Sequence, residues 1–580
     1  MNEMKRIPTH LQPYEAEQHY DRYTPIDHAV WRYVMRQNHH ALHDKAHTAF
    51  VDGLLQSGIG TEKIPRVSEM NDCLAKIGWG AIIVNGLVPG SVFYELLANG
   101  ILPIATEIRK LTNIEYTPAP DIIHEAAGHA PILFDPAYRA YVQAIGAVGA
   151  KAFSMKERRE AFEALRQLTI VMENPQSTLE EKAAAQKLAE EKQKAIVGLS
   201  EAEKVSRLFW ATVEYGLIGD VNDPKIYGAG LLSSVGESKH CFTDAVEKIP
   251  YSVEACVASP KPVTEMQSQL FVCQSFKQLM EGVESLASTM AFRVGGTESL
   301  EKALRSRNVA TCEFNSGICV TGIVDSLRKD ENGEAIYVHT AGETALSVNH
   351  HQLPGHGKDY HAKGFGTPLG LLQGQIALEH CDDQALADLG VVEGQFAEII
   401  FESGIQVSGR VAGIMRSAAC VILVSFEECT VTWKDEVLFK KEWGTYDMAV
   451  GSRIVSAYPG AADPASYYDA PVLKVEVAEP IADAPASLTD LEVLYQHVAA
   501  LRERGPLAEN VQELREIHEA LGRSYPNDWL LRLELLELAA ANPAMREMEV
   551  SLGEELQALS KVASLTNLIG NGLSIIYPGE

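Results

Sequence analysis

Residues 117–136, TPAPDIIHEAAGHAPILFDP, hold the densest chemistry in the chain. His124 and Glu125 invite comparison with the zinc-protease pattern H-E-x-x-H, but the spacing refuses it. In that pattern the histidines stand four apart, about 40° around a helix, and share a face. His124 and His129 stand five apart, which separates them by about 140° at roughly 100° per residue. They meet at one metal only if the helix ends or bulges between them, and Gly128 makes that available. Further on, in RLFWATVEYGLIGD (207–220), Glu214 sits inside an almost unbroken apolar stretch. An isolated carboxylate there costs several kcal/mol to bury, so it is protonated, ion-paired or bound to metal. Two histidines and one carboxylate, with positions left open, form the facial arrangement of non-haem iron(II) oxygenases. The absence of cysteine ligands weakens a structural zinc reading.

The elements that must position these groups fall into several units, because 580 residues are too many for one ordinary core. The fold class expected is multidomain α+β. Residues 1–300 read as a mainly helical catalytic region, with a charged helical insertion near 154–204 rich in Ala, Glu, Lys and Gln. Residues 308–457 change to strand periodicity, with a hairpin signal at Asn332-Gly333, and read as a small antiparallel barrel or sandwich of unknown role. That block contains His350, His351, His356 and His361 in NHHQLPGHGKDYH; without regular ligand spacing this reads as a polar loop. Residues 458–486, rich in Pro, Ala and Asp, read as a linker. A helical module over 487–580 opens at Ser487 and Asp490. Its apolar stripe Leu488, Leu491, Leu494, Val498 and Leu501 suits a homo-oligomer contact, or helices burying their own faces.

Composition removes several classes of function. A net charge of −28 argues against nucleic acid, whose phosphates demand Lys and Arg. No run approaches the roughly eighteen apolar residues of a membrane span, and the polar start MNEMKRIPTHLQPYEAEQHY lacks the apolar core of a secretory signal. Nine scattered cysteines with no CxxC pair suit reduced thiols in a cytoplasm.

Four ordered motifs then carry a resemblance. GLVPGSVF, YTPAPDIIHEAAGHAPILFDPAY, FWATVEYGL and IYGAGLLSSVGE resemble, in order, those of the pterin-dependent aromatic amino acid hydroxylases, over roughly residues 20–295. The resemblance implies His124, His129 and Glu214 as ligands of Fe(II), and a tetrahydrobiopterin or related tetrahydropterin as second cofactor. Arg109, twelve residues before Asp121, stands where the family pairs the substrate carboxylate, a task that suits a guanidinium fork. Thr117, Pro118 and Pro120 resemble the loop lining the substrate pocket. Trp210, Ser233 and Glu237 match an aromatic wall, a small hydroxyl and a buried acid that holds Arg109 and its surroundings. Gly228 and Gly230 are read as letting backbone approach ligand closely. Phe93 resembles the platform on which the pterin stacks, beside Gly86, Leu87 and Val88, and Glu125 the acid near the pterin that is not a ligand.

The chain departs from the family in three places. Glu214 lies 85 positions after His129, where the family has about forty, and the insertion accounts for the difference. Phe209 replaces the tyrosine of the animal phenylalanine hydroxylases, and the region after 300 matches nothing in them. Iron and pterin are implied to activate O2 for attack on an aromatic amino acid, phenylalanine to tyrosine being favoured by the large indole of Trp210. Tyrosine or tryptophan hydroxylation, a 2-oxoglutarate oxygenase and a non-catalytic regulatory protein on a hydroxylase domain are the rivals. The oxoglutarate enzymes place the first histidine and carboxylate two residues apart on a strand, which this chain does not. No catalytic motif lies beyond Glu237, so residues after 300 are expected to be separable from the chemistry.

Overall fold

Thr24 and Asp27 close a reciprocal capping box ahead of Pro25, and together they start the long helix Pro25–Leu42. The computed structural model describes residues 6–578 except 86–87, 115–120, 174–177, 260–265, 469–486 and 505–509. In its first 300 residues, helices Pro25–Leu42, Gly90–Ala98, Pro136–Ala150 and Phe276–Ser288 share one apolar core. Two small sheets flank them. Gly80–Val84 pairs in parallel with Ile101–Ala105, and a four-stranded sheet runs in the order Asp223–Ile226, Leu217–Asp220, Gln269–Cys273, Glu247–Pro250. The insertion is a helical pair, Lys156–Glu173 and Leu179–Lys194, tied by Lys192 Nζ to Glu160 at 2.7 Å. Thr178 and Glu181 cap its second helix.

The β region is two antiparallel sheets rather than a closed barrel. One contains the long hairpin Ile318–Lys329/Ala335–Val348, with Val309–Phe314 and Ile454–Pro459 on one side and His351–Gln352 and Phe365–Pro368 on the other. The other holds Phe396–Ile400, Ile405–Ser417, Cys420–Trp433, Glu436–Phe439 and Tyr446–Ala449. At the hairpin turn Gly333 adopts φ 84°, and Asp330 Oδ1 accepts from Asn332 N and Glu334 N, as the Asn-Gly signal foretells.

Two expectations about the C-terminal third are corrected. The linker does not begin at 458: Ile454–Pro459 is a strand and Pro464–Tyr467 a short helix, because Ala461 and Tyr467 bury beside Ala345 and the Tyr467 hydroxyl donates to Glu343 O at 2.9 Å. The rest of that linker lies outside the described residues. The following helix, Asp490–Arg504, is started by Thr489 and Glu492 rather than by Ser487 and Asp490; Glu492 N donates to Thr489 Oγ1 and Thr489 N to Glu492 Oε2.

The C-terminal helices are spent within the chain. Tyr495, Val498, Leu501, Trp529, Leu533 and Ile569 join the same apolar cluster as Trp31 and Val34 of the first helix. Arg32 forms a bidentate pair with Glu534 (2.6 and 3.1 Å), both side chains almost fully buried, and the Tyr33 hydroxyl donates to Leu568 O at 2.8 Å. Tyr33 also meets Trp529 edge-on at 5.2 Å. Leu491, Leu494, Val498 and Leu501 of the apolar stripe therefore pack into the catalytic region's own core, while Leu488 stays exposed. No helix among the described residues is long and apolar enough to cross a membrane, and all nine cysteines are free thiols.

Candidate metal centre

Five-residue spacing becomes an advantage once the backbone changes pitch. Ile123–His129 is a π-helix, whose hydrogen bonds span five residues, so positions i and i+5 stack on one face. The two rings meet at 4.8 Å between centroids, with Nε2 to Nε2 at 3.2 Å. A second π-helix, Trp210–Glu214, is closed by Tyr215 N donating to Trp210 O at 3.0 Å. It delivers Glu214, whose Oε2 is 3.2 Å from His124 Nε2 and Oε1 3.3 Å from His129 Nε2. Ligand atoms about 2.1 Å from one ion lie about 3.0–3.4 Å apart, so this donor set fits a single divalent cation.

Three glycines let the two π-helices close on one turn. A Cβ on Gly128 would stand 2.7 Å from Ala229 O, and one on Gly228 only 2.5 Å from Glu214 O. Gly230 likewise faces the Glu214 carbonyl, at 3.0 Å. Gly228 and Gly230 were read as admitting a ligand; the structure shows them admitting the backbone that carries Glu214.

Ser233 ends that turn and determines the state of His124. Its hydroxyl donates to Ala229 O at 2.8 Å and so accepts from His124 Nδ1–H at 3.0 Å, which leaves Nε2 bare for a metal. Burial pushes the Glu214 carboxyl up, but the positive charge of the facing His129 and His124, when protonated, outweighs it and lowers the group overall. Glu125, on the same π-helix, lacks such compensation. Burial raises its carboxyl to about 8, against a lowering by His129, and its buried Oε2 has no hydrogen-bond partner. Glu125, His129, Phe93, Phe209 and Val213 line one recess beside the metal position. Phe93 and Phe209 meet edge-on there at 5.5 Å. Val88 packs instead with Ile82, Val84 and Leu11, while Gly86 and Leu87 lie outside the described residues.

Arg109 is held by Asp121, not by Glu237. Nε and Nη2 engage both carboxylate oxygens at 2.8 and 2.9 Å, and Nη1 donates to Ser233 O at 3.2 Å. Asp121 Oδ1 also accepts from His124 N at 3.0 Å, so one buried carboxylate positions both the guanidinium and the first π-helix. The sequence signal for Asp121 is a carboxylate three residues before His124, the spacing of a helix cap. Glu237 takes another place. Its Oε1 accepts from Gln267 N at 3.0 Å, its Oε2 is unpartnered, and burial lifts its carboxyl to about 7. Gln267, also missed, accepts from Trp210 Nε1 at 3.2 Å and so ties Trp210 to Glu237. The Trp210 ring leans on Tyr215 at 4.8 Å. Thr117, Pro118 and Pro120 lie outside the described residues.

Comparison with known proteins bears on the same segment. Residues 12–163 and 180–295 match the family described as biopterin-dependent aromatic amino acid hydroxylase. The gap between those ranges falls in the inserted helical pair. A phenylalanine-4-hydroxylase of Chromobacterium violaceum is 30% identical over 263 residues, 45% of this chain and 74% of that enzyme. One from Ralstonia nicotianae is 30% identical over 270 residues, 46% of this chain and 72% of that enzyme. A crystal structure of the C. violaceum enzyme with iron(III) and 7,8-dihydrobiopterin aligns over 47% of this chain and 85% of that one, at 27% identity and a TM-score of 0.38.

Proposed function

We propose that this chain, which belongs to the biopterin-dependent aromatic amino acid hydroxylase family, uses Fe(II) and a tetrahydropterin to convert L-phenylalanine to L-tyrosine. The observation that carries the reading is the convergence of His124, His129 and Glu214 from two π-helices onto one buried point. Neutral imidazoles and a hard carboxylate suit Fe(II). When bound there with pterin, the iron supplies the activation of O2 for attack on the ring.

The chain's own residues bind and orient. Arg109 has N–H groups left after its bonds to Asp121 and Ser233 O, and we assign these to the substrate carboxylate. Asp121 fixes the guanidinium before substrate arrives, so little side-chain entropy is lost on binding. Trp210, steadied by Gln267 and Tyr215, is assigned as the wall against the substrate ring, with Glu237 behind it. Phe93, an aromatic face, and Glu125, a carboxyl beside the metal position, are assigned to the pterin; the recess between them is only about 10 Å³ as it stands, so the ring must lie at its mouth rather than inside it. Gly86 and Leu87 are kept as pterin contacts and Thr117, Pro118 and Pro120 as substrate contacts, while Val88 is assigned to packing with Ile82 and Val84. The free thiols support a reducing, cytoplasmic compartment.

The test is an aerobic reaction with Fe(II), tetrahydrobiopterin and each aromatic amino acid, followed by amino acid analysis. Tyrosine from phenylalanine is the expected product. A tenfold higher kcat/KM on tryptophan or tyrosine would reassign the substrate, and no pterin-dependent product from any of the three would remove the activity.

A further inference from the structure

A second cluster of the same composition lies in the β region, and nothing in the hydroxylase chemistry uses it. His356 and His361 are again five residues apart, and their rings stack at 5.5 Å with His356 Nδ1 3.3 Å from His361 Nε2. Asp447 brings a carboxylate oxygen within 4.8 Å of both. All three residues are more than nine-tenths buried. The segment NHHQLPGHGKDYH, 349–361, reads by composition as a polar loop. Its other two histidines fit that reading: His351 is exposed, and His350 only faces Ala462 O at 3.3 Å.

We propose that His356, His361 and Asp447 bind a divalent first-row transition ion of the zinc type, and that this ion clasps the loop of one β-sheet to a strand of the other. The two histidines are positioned by backbone bonds to the strand Ala335–Val348: Leu346 N donates to His356 O at 2.9 Å and Thr344 N to His361 O at 3.2 Å. Asp447 comes from Tyr446–Ala449 in the second sheet, so side chains distant in sequence close on one point across the sandwich. Two imidazole nitrogens on one tetrahedral ion lie about 3.3 Å apart at metal–nitrogen distances of about 2.0–2.1 Å, which is the separation observed.

Charge accounting points the same way. A buried carboxylate costs several kcal/mol unless it is neutralised or paired. Asp447 Oδ1 accepts from Ser425 Oγ at 2.5 Å, and the Tyr360 hydroxyl also engages this carboxylate, so a metal would share Asp447 with these two hydroxyls. The chargeable groups that face Asp447 are the two histidines of the cluster, and a bound cation would neutralise the carboxylate while using both imidazoles as neutral donors. The three donor atoms lie within 4.8 Å of one another, a wider span than the 3.3 Å between the imidazole nitrogens, so binding requires Asp447 to draw in toward the rings. Phe365, buried, and Tyr360, exposed, flank His361 edge-on at 5.2 and 4.7 Å. Three protein ligands leave one position open, with the half-exposed Tyr360 ring beside it.

The test separates this site from the first. Full-length protein carrying His129→Ala and Glu214→Gln, stripped with chelator, is titrated with Co(II) and then Zn(II). The proposal requires one equivalent bound, with visible Co(II) absorption that Zn(II) displaces. Adding His361→Asn or, in a separate protein, Asp447→Asn must weaken that binding at least 100-fold, with circular dichroism verifying the fold of each. Metal analysis of the unsubstituted chain must give two ions against one for each β-region variant, and neither variant must lower hydroxylation at saturating iron. No binding in the His129→Ala, Glu214→Gln protein overturns the proposal. One equivalent unaffected by both β-region substitutions overturns it too.

Discussion

Ser233→Ala separates two roles for one hydroxyl. Sequence resemblance assigns Ser233 to the substrate pocket, whereas the structure places its Oγ 3.0 Å from His124 Nδ1 and 2.8 Å from Ala229 O. Removing it leaves a buried imidazole N–H without an acceptor, at a cost of about 1–3 kcal/mol. The tautomer that bares Nε2 then loses its support. Loss of an outer hydrogen bond to a metal-bound histidine typically lowers metal affinity about 10–100-fold, or about 1.4–2.8 kcal/mol. Chelator competition on the purified variant reads iron affinity directly, and steady-state kinetics at saturating iron reads the substrate KM. The expected result is weaker iron binding with kcat largely restored at high iron and KM for phenylalanine changed less than threefold. Unchanged iron affinity with a KM raised tenfold would refute the tautomer argument and return Ser233 to the substrate.

Three further perturbations test the positioning of the site and the join between regions. Gly228→Ala forces a Cβ to 2.5 Å from Glu214 O, so overpacking of about 1–3 kcal/mol together with lost iron binding is expected, read by thermal melting and metal analysis. Glu534→Gln strips the charge opposing buried Arg32 and should destabilise the whole catalytic region by about 3–5 kcal/mol; a melt in which only the C-terminal helices loosen would contradict the shared core. Burial raises Glu237 from 4.5 to about 7, so its folded form holds a proton more tightly than its unfolded form. That contribution is fully present below about 4.5 and is lost as pH rises through about 7, up to about 3 kcal/mol. Glu237→Gln should therefore be more stable than the parent at pH 8, with most of the advantage gone at pH 5; an equal advantage at both would exclude this ionisation as its source.

Residue type and the order of the motifs point to the candidate groups of this protein without help from the fold. His124, His129 and Glu214 stand out as two imidazoles near Gly128 and a carboxylate stranded in FWATVEYGL, a group that must be protonated, ion-paired or metal-bound, and it is the resemblance of the four motifs that implies the metal. Capping at Thr24 and Thr178, and the Asn-Gly hairpin, were equally local, set by side chains bonding backbone a few residues away. Tertiary structure decided what depends on approach over long separations. The π pitch that aligns five-apart histidines is held by Gly128 and Gly228 fitting against Ala229 and Glu214, contacts that no local propensity encodes. Asp121 as the support of Arg109, Gln267 between Trp210 and Glu237, and Arg32 reaching Glu534 across 502 positions all arise from packing. The same holds for His356 and His361: their loop is polar by composition and becomes a candidate metal site only because a second sheet delivers Asp447. A sequence states which groups need partners. Only the folded chain, by excluding water from particular points, settles which partners they get.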